Sequence, residues 1–127
     1  TTQKASVLLQ QGLADSLIPR NAMHSPAWTF GPIPQLEPIW DPSPILEPVT
    51  GPVTGNINPE TTAALYQFVP VGLPDIEPTP GCEALDESDG HGCAQASAEA
   101  LRQRALFLRS AVEDPVPTIV DALSVSE

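Results

Sequence analysis

Between Arg20 and Arg102 the chain contains no lysine or arginine, and the whole sequence of 127 residues holds five basic against sixteen acidic side chains, a formal charge of −11. Phosphate backbones and anionic lipid surfaces are repelled by such a molecule, which argues against nucleic acid as a partner. The acidity is read either as a solvated surface or as a face that pairs with a basic one. Long apolar runs are missing too: none approaches the ~20 residues that span a bilayer, and no cationic, apolar leader opens the chain. It begins at Thr1 rather than methionine, as a mature chain would after loss of a signal peptide and as a partial chain would. Motifs of catalysis are absent: there is no GxSxG, HExxH, CxxCH or phosphate-cradling glycine loop. The two histidines, His24 and His91, have no nucleophile or carboxylate placed beside them by a recognisable motif. The sequence therefore predicts neither an enzyme nor a cofactor.

Proline is what the chain has in excess, sixteen in all, fourteen of them between Pro19 and Pro80. Each proline removes a backbone donor, fixes φ and pushes the preceding residue toward extended conformations. The run Pro32, Pro34, Pro38, Pro42, Pro44, Pro48, Pro52 thus rules against a helix or a central strand, and an extended arm is expected over 19–58. Turns are expected at Thr50-Gly51-Pro52 and Thr54-Gly55-Asn56. The arm nevertheless carries Trp28, Phe30, Ile33, Leu36, Ile39, Trp40, Ile45, Leu46, Val49 and Val53. A freely solvated linker has little reason to keep these, so Trp28, Phe30, Ile33, Leu36, Ile39, Trp40, Leu46 and Val49 are the expected partner-binding residues. Leu36-Glu37-Pro38-Ile39 recurs as Leu46-Glu47-Pro48-Val49, and the alternation would send the apolar anchors to a groove and Glu37 and Glu47 to solvent or to a basic partner. Ordering 21–58 costs tens of kcal/mol at ~1–2 kcal/mol per residue, more than short helices could return by covering it. The arm is accordingly expected to be ordered only on another protein.

Around the arm the pattern predicts short helices. Leu9, Leu13 and Leu17 repeat every four residues and predict a helix over 5–18, weakened by Gly12 and ended by Pro19. Asn58-Pro59-Glu60, a capping side chain with proline next to it and an acid in the first turn, predicts a second over 59–69. Ala94, Ala98, Leu101, Ala105, Leu108 and Val112 are spaced as the a and d positions of a heptad and predict the longest helix, 94–112. A last short one is expected at 117–123. The resulting fold class is a mostly irregular, proline-rich chain with little or no β-sheet and no large core. Its segments are 1–18, 19–58, 59–80 and 81–127.

Cys82 and Cys93 flank an acidic, glycine-punctuated loop whose length allows a disulfide, and a disulfide between them is predicted; an even count without a CxxC favours an oxidising compartment. A zinc site of Cys82, His91 and Cys93 with Asp86 or Asp89 has suitable atoms but lacks the paired short spacings of structural zinc. Calcium in Asp86-Glu87-Ser88-Asp89-Gly90 fails in register, because Leu85 would hold the first ligand position and Ala96 the twelfth. No metal site is predicted.

In its whole-length character the chain resembles the proline-rich accessory subunits of actinobacterial respiratory supercomplexes. The features shared are the acidic, proline-rich stretch Leu36-Glu37-Pro38-Ile39-Trp40-Asp41-Pro42, the single cysteine pair and the lack of a membrane span. The resemblance implies an extracytoplasmic, non-catalytic subunit lying on a membrane-embedded respiratory complex. A capsid cement or filament-coating protein would use the same physics. A small metal-binding or enzymatic domain built on the Cys82–Cys93 loop is the alternative from another class.

Overall fold

The computed structural model describes residues 5–13, 33–82 and 90–122. Their centre is a four-stranded, all-parallel sheet in the order β1-β5-β2-β3: β1 (Val7–Gly12), β2 (Gln35–Leu36), β3 (Pro48–Val49) and β5 (Ala63–Phe68). A second, antiparallel pair joins β4 (Val53–Thr54) to β6 (Thr118–Ile119). Two helices follow the sheet, α1 (Gly90–Ala96) and α2 (Ala98–Glu113). The expected irregular chain without a sheet is therefore overturned: the fold is a small α/β structure. Three of the four expected helices are corrected with it.

The strand β5 explains the first two corrections. All six of its residues are buried, as happens to a central strand of a parallel sheet covered on both faces. Val7 to Gly12 pair in register with Ala63 to Phe68. Leu8 with Ala64, Tyr66 and Phe68 faces one cluster, which also holds Leu36, Val53, Ala100 and Ile119. Val7 and Leu9 with Ala63 and Leu65 face the other, with Ile33 and Leu46. The period along both strands is two, and the four-residue spacing of Leu9 and Leu13 that predicted a helix is coincidental to it. Residues 14–18 of that expected helix lie outside the described residues.

Asn58-Pro59-Glu60 uses its capping chemistry for a turn instead. The Asn58 side-chain oxygen accepts from the Glu60 amide at 2.8 Å, and the Thr61 amide donates to the Asn58 carbonyl at 3.0 Å. An Asx turn and a helix N-cap share the same side-chain-to-backbone bond, and tertiary context decides between them. Where a turn is expected at Thr54-Gly55-Asn56 the chain bends at Gly55, whose φ of 60° lies in the left-handed region. At the other end, Thr118–Ile119 is strand rather than helix because Val53 and Thr54 offer it a ladder, closed by a 2.7 Å hydrogen bond between the hydroxyls of Thr54 and Thr118.

The predicted 94–112 helix is present but divided. Ser97 is extended, and its hydroxyl accepts from the Ala100 amide at 3.1 Å, capping α2 and ending α1. Cys82 and Cys93 lie at disulfide distance with Cα atoms 5.1 Å apart, tying α1 to the segment that returns from β5. Thr79 holds the same segment, its hydroxyl accepting from the Val69 amide at 2.8 Å while its own amide donates to the Val69 carbonyl at 2.9 Å. The end of β1 and the start of α1 touch backbone to backbone. A Cβ on Gly12 would overlap the Gly90 carbonyl, and one on Gly90 the Leu13 carbonyl.

Most consequential is the fate of the arm. Its part within 33–58 is not waiting for a partner: Ile33, Leu36, Leu46 and Val53 are buried in this chain's own two clusters. The expectation that 21–58 is ordered only on another protein is corrected for these residues; 21–32 lie outside the described ones. What makes it affordable is a set of buried glutamines. The Gln67 side-chain carbonyl accepts from the amides of Trp40 and Asp41 at 2.8 and 2.9 Å, and its NH2 donates to the Asp41 carbonyl at 2.8 Å and to Gln11 at 3.0 Å. Gln35 accepts from the Ser43 amide at 2.9 Å and donates to Asp41 at 3.1 Å. A loop whose prolines cannot enter a ladder is thus held by side-chain amides, which carry both a donor and an acceptor.

Candidate functional site

Ligands of parallel α/β sheets sit outside the carboxyl ends of the strands, where loops diverge. Here the chain leaving β2, Glu37-Pro38-Ile39, and the chain leaving β3, Thr50-Gly51-Pro52, line one groove of about 520 Å³, and Asp121, just after β6, completes it. The two loops lie side by side because β2 and β3 are in parallel register, Leu36 opposite Val49. Pro38, Ile39 and Pro52 give it apolar walls, and Glu37 and Asp121 give it two carboxylates.

Each carboxylate is positioned by a hydroxyl. Thr50 donates to Glu37 at 2.8 Å, and the Tyr66 phenol, rooted in the middle of β5, donates to Asp121 at 3.0 Å. Burial first, and then the Asp121 carboxylate beside it, push the Tyr66 phenol well above its ordinary value of about 10. The phenol therefore stays a donor at neutral pH and serves to aim Asp121. Two aimed carboxylates between apolar walls suit a group with a cationic head and an aliphatic stem, since the walls cover the methylenes while the head is paired.

The expected partner-binding residues separate into three sets. Ile33, Leu36 and Leu46 are interior, and their apolar surface is used up within this chain. Ile39 is a half-buried groove wall, Val49 packs half-buried against the core, and Trp40 is 40% exposed beside the groove loop, pinned through its backbone by Gln67. Trp28 and Phe30 lie outside the described residues. Glu37 emerged from the repeat as a residue aimed at solvent or a basic partner. Asp121 and Tyr66 did not emerge at all, since nothing near them in sequence marks a groove assembled from β2, β3, β5 and the tail of β6.

A second, more polar depression of about 290 Å³ is lined by Gln10, His91, Ala94, Gln95 and Arg104. Arg104 acts there as a brace, donating to Gln10 at 2.6 Å and to the carbonyls of Ala94 and Gln95 at 3.0 and 2.6 Å. Among the described residues no three His, Cys, Asp or Glu side chains gather as a metal site would. The acidic stretch 83–89, on which the zinc and calcium alternatives turn, lies outside them. Among the described residues no helix is long and apolar enough to cross a membrane. The cysteine pair fits an oxidising compartment. Compared with family models, with curated proteins and with solved structures, the chain matches none, so the groove is interpreted from its own chemistry.

Proposed function

We propose that this protein is a non-catalytic accessory module of an extracytoplasmic compartment, which docks on a larger protein assembly by taking a lysine side chain into the β2–β3 groove. The observation that carries this reading is the pair of hydroxyl-aimed carboxylates, Glu37 and Asp121, between Pro38, Ile39 and Pro52. The charge of −11 supports it from a distance, since an acidic module is steered toward a basic surface. Trp40 beside the groove supplies an exposed aromatic of the kind that anchors interfaces. The resemblance to accessory subunits of respiratory supercomplexes nominates one such assembly, and a capsid or filament coat is served by the same groove.

The test is zero-length carbodiimide cross-linking during mild native purification, which joins a carboxylate to a lysine amine only when they touch. A stoichiometric partner cross-linked through Glu37 or Asp121, and lost in the Glu37→Gln/Asp121→Asn double variant, is the expected result. A partner retained undiminished by the double variant, or cross-linked only elsewhere, overturns the reading.

A further inference from the structure

The parallel sheet ends differently on its two sides. One outer strand, β3, is two residues long and begins with Pro48, which has no amide to offer. Short length and proline are the means by which an edge is kept from further pairing. The other outer strand, β1, has six residues, Val7-Leu8-Leu9-Gln10-Gln11-Gly12, with neither proline nor charge among them. It is a long, unguarded edge.

The backbone of β1 fixes which groups that edge presents. The Val7 amide donates to the Thr62 carbonyl and the Leu13 amide to the Phe68 carbonyl, both at 2.9 Å, so the odd-numbered residues turn their polar groups toward β5. Alternation along the strand turns those of Leu8, Gln10 and Gly12 the other way. Among the described residues nothing pairs with them. The Gln10 side chain does not stand over the edge, because it is bonded to Ala100 and Gln103 of α2 at 3.0 and 2.9 Å. A row of backbone donors and acceptors is matched along its length by an extended strand.

We infer that β1 pairs antiparallel with β1 of a second copy of this chain, joining the two four-stranded sheets into one continuous sheet. The occupant follows from the strand's self-complementarity. A two-fold axis between the two Gln10 residues sets Leu8 of each copy opposite Gly12 of the other. The outward groups of both strands then meet in the closely spaced pairs of an antiparallel ladder, and all of them are used. The chain carries sixteen acidic residues, yet β1 has none, so no carboxylates face each other along the pair. Pairing also extends the cover over Val7 and Leu9, which are half-buried in the single copy. The inference does not rest on the groove, which is built from the loops after β2 and β3 and is left open at the far side of each sheet.

Strands of this length bury less than the about 1,200–2,000 Å² of a stable complex, so a dissociation constant on the order of tens of micromolar is expected. Sedimentation equilibrium of the full chain should show monomer passing to dimer as concentration rises, and the dimer should tighten with salt because two acidic chains repel. Amide exchange of the unaltered chain, followed by nuclear magnetic resonance, locates the contact. The Leu8 and Gln10 amides should be open in dilute solution and slowed at least about tenfold in concentrated solution, while Leu9 and Gln11, bonded to β5, are protected in both. Leu8→Pro removes an outward amide where an edge strand tolerates proline, and should weaken the dimer at least about tenfold with the circular dichroism retained. Should that variant unfold, the exchange pattern of the unaltered chain decides. A monomer at every concentration, or exchange at Leu8 and Gln10 that does not slow with concentration, overturns the inference. So does a dimer that forms with these two amides still open, as pairing through another surface would give.

Discussion

Replacing Gln67 by methionine keeps the length and nearly the volume of a side chain that is 1% exposed, and removes only its amide. Four hydrogen bonds go with it: those from the Trp40 and Asp41 amides, and those to the Asp41 carbonyl and to Gln11. The two loop amides lie near the surface and can turn to water, so each costs only the net value of a hydrogen bond, ~0.5–1.5 kcal/mol. The Gln11 oxygen is interior and loses a donor there, at ~1–3 kcal/mol. The Asp41 carbonyl keeps the Gln35 amide, so its loss is small. Burying a thioether in place of an amide returns about 1 kcal/mol, leaving a net destabilisation of roughly 1–5 kcal/mol. For a chain of this size that is a fall in melting temperature of roughly 4–20 °C. Urea unfolding followed by circular dichroism measures it, and amide exchange at Trp40 and Asp41 should quicken in the same variant. A midpoint shift worth less than ~0.5 kcal/mol would refute the view that side-chain amides, rather than apolar burial alone, hold the proline-rich loop to the sheet.

Reduction of Cys82–Cys93, or Cys93→Ser, should cost on the order of 3 kcal/mol for a bridge between residues eleven apart, and intact-mass measurement of the native protein should show a two-proton deficit that reduction restores. Gly12→Ala drives a Cβ into the Gly90 carbonyl, where no side chain can give way, and should destabilise by about 3 kcal/mol or more; a melting temperature near that of the wild type would mean the β1–α1 contact is looser than described. Tyr66, the chain's one tyrosine, has a folded pKa raised above its unfolded value, so stability from this group is full below pH ~10 and is lost as pH rises beyond it. Ultraviolet difference titration should find no phenolate until the protein unfolds in alkali, and ionisation near pH 10 in the folded state would contradict the burial of the phenol.

How much of this was legible depends on whether the signal was local. The Ala94–Val112 periodicity predicted a helix because heptad spacing is written within a few turns, yet the same pattern could not say which way the stripe would face. Its orientation follows from Gln103, Arg104 and Ser110, whose partners Gln10, Thr118 and Val120 come from other parts of the chain. The Asn58 turn shows the same division: the side chain's affinity for a nearby amide was evident, whereas its use as an Asx turn required Thr61 and Thr62 to be drawn toward a strand. Half of the groove was foreshadowed by Glu37 in the Leu36-Glu37-Pro38-Ile39 repeat, and its other half, Asp121 and Tyr66, meets it only through the sheet.

By itself the sequence determined that the chain is acidic, that 94–112 is largely helical, that Cys82 and Cys93 are spaced to pair, and that no apolar run in it approaches the ~20 residues of a membrane-spanning helix. These are properties of composition or of neighbours in sequence, and they hold in any fold. Tertiary structure alone decided that Ala63 to Phe68 is a strand, because only pairing with β1 on one side and β2 on the other makes full burial of such a segment pay back its ordering. It decided the fate of the prolines as well. A proline lacks a donor wherever it stands, but whether its neighbours remain solvated or fold back depends on acceptors and donors brought from elsewhere, and here Gln35 and Gln67 bring them.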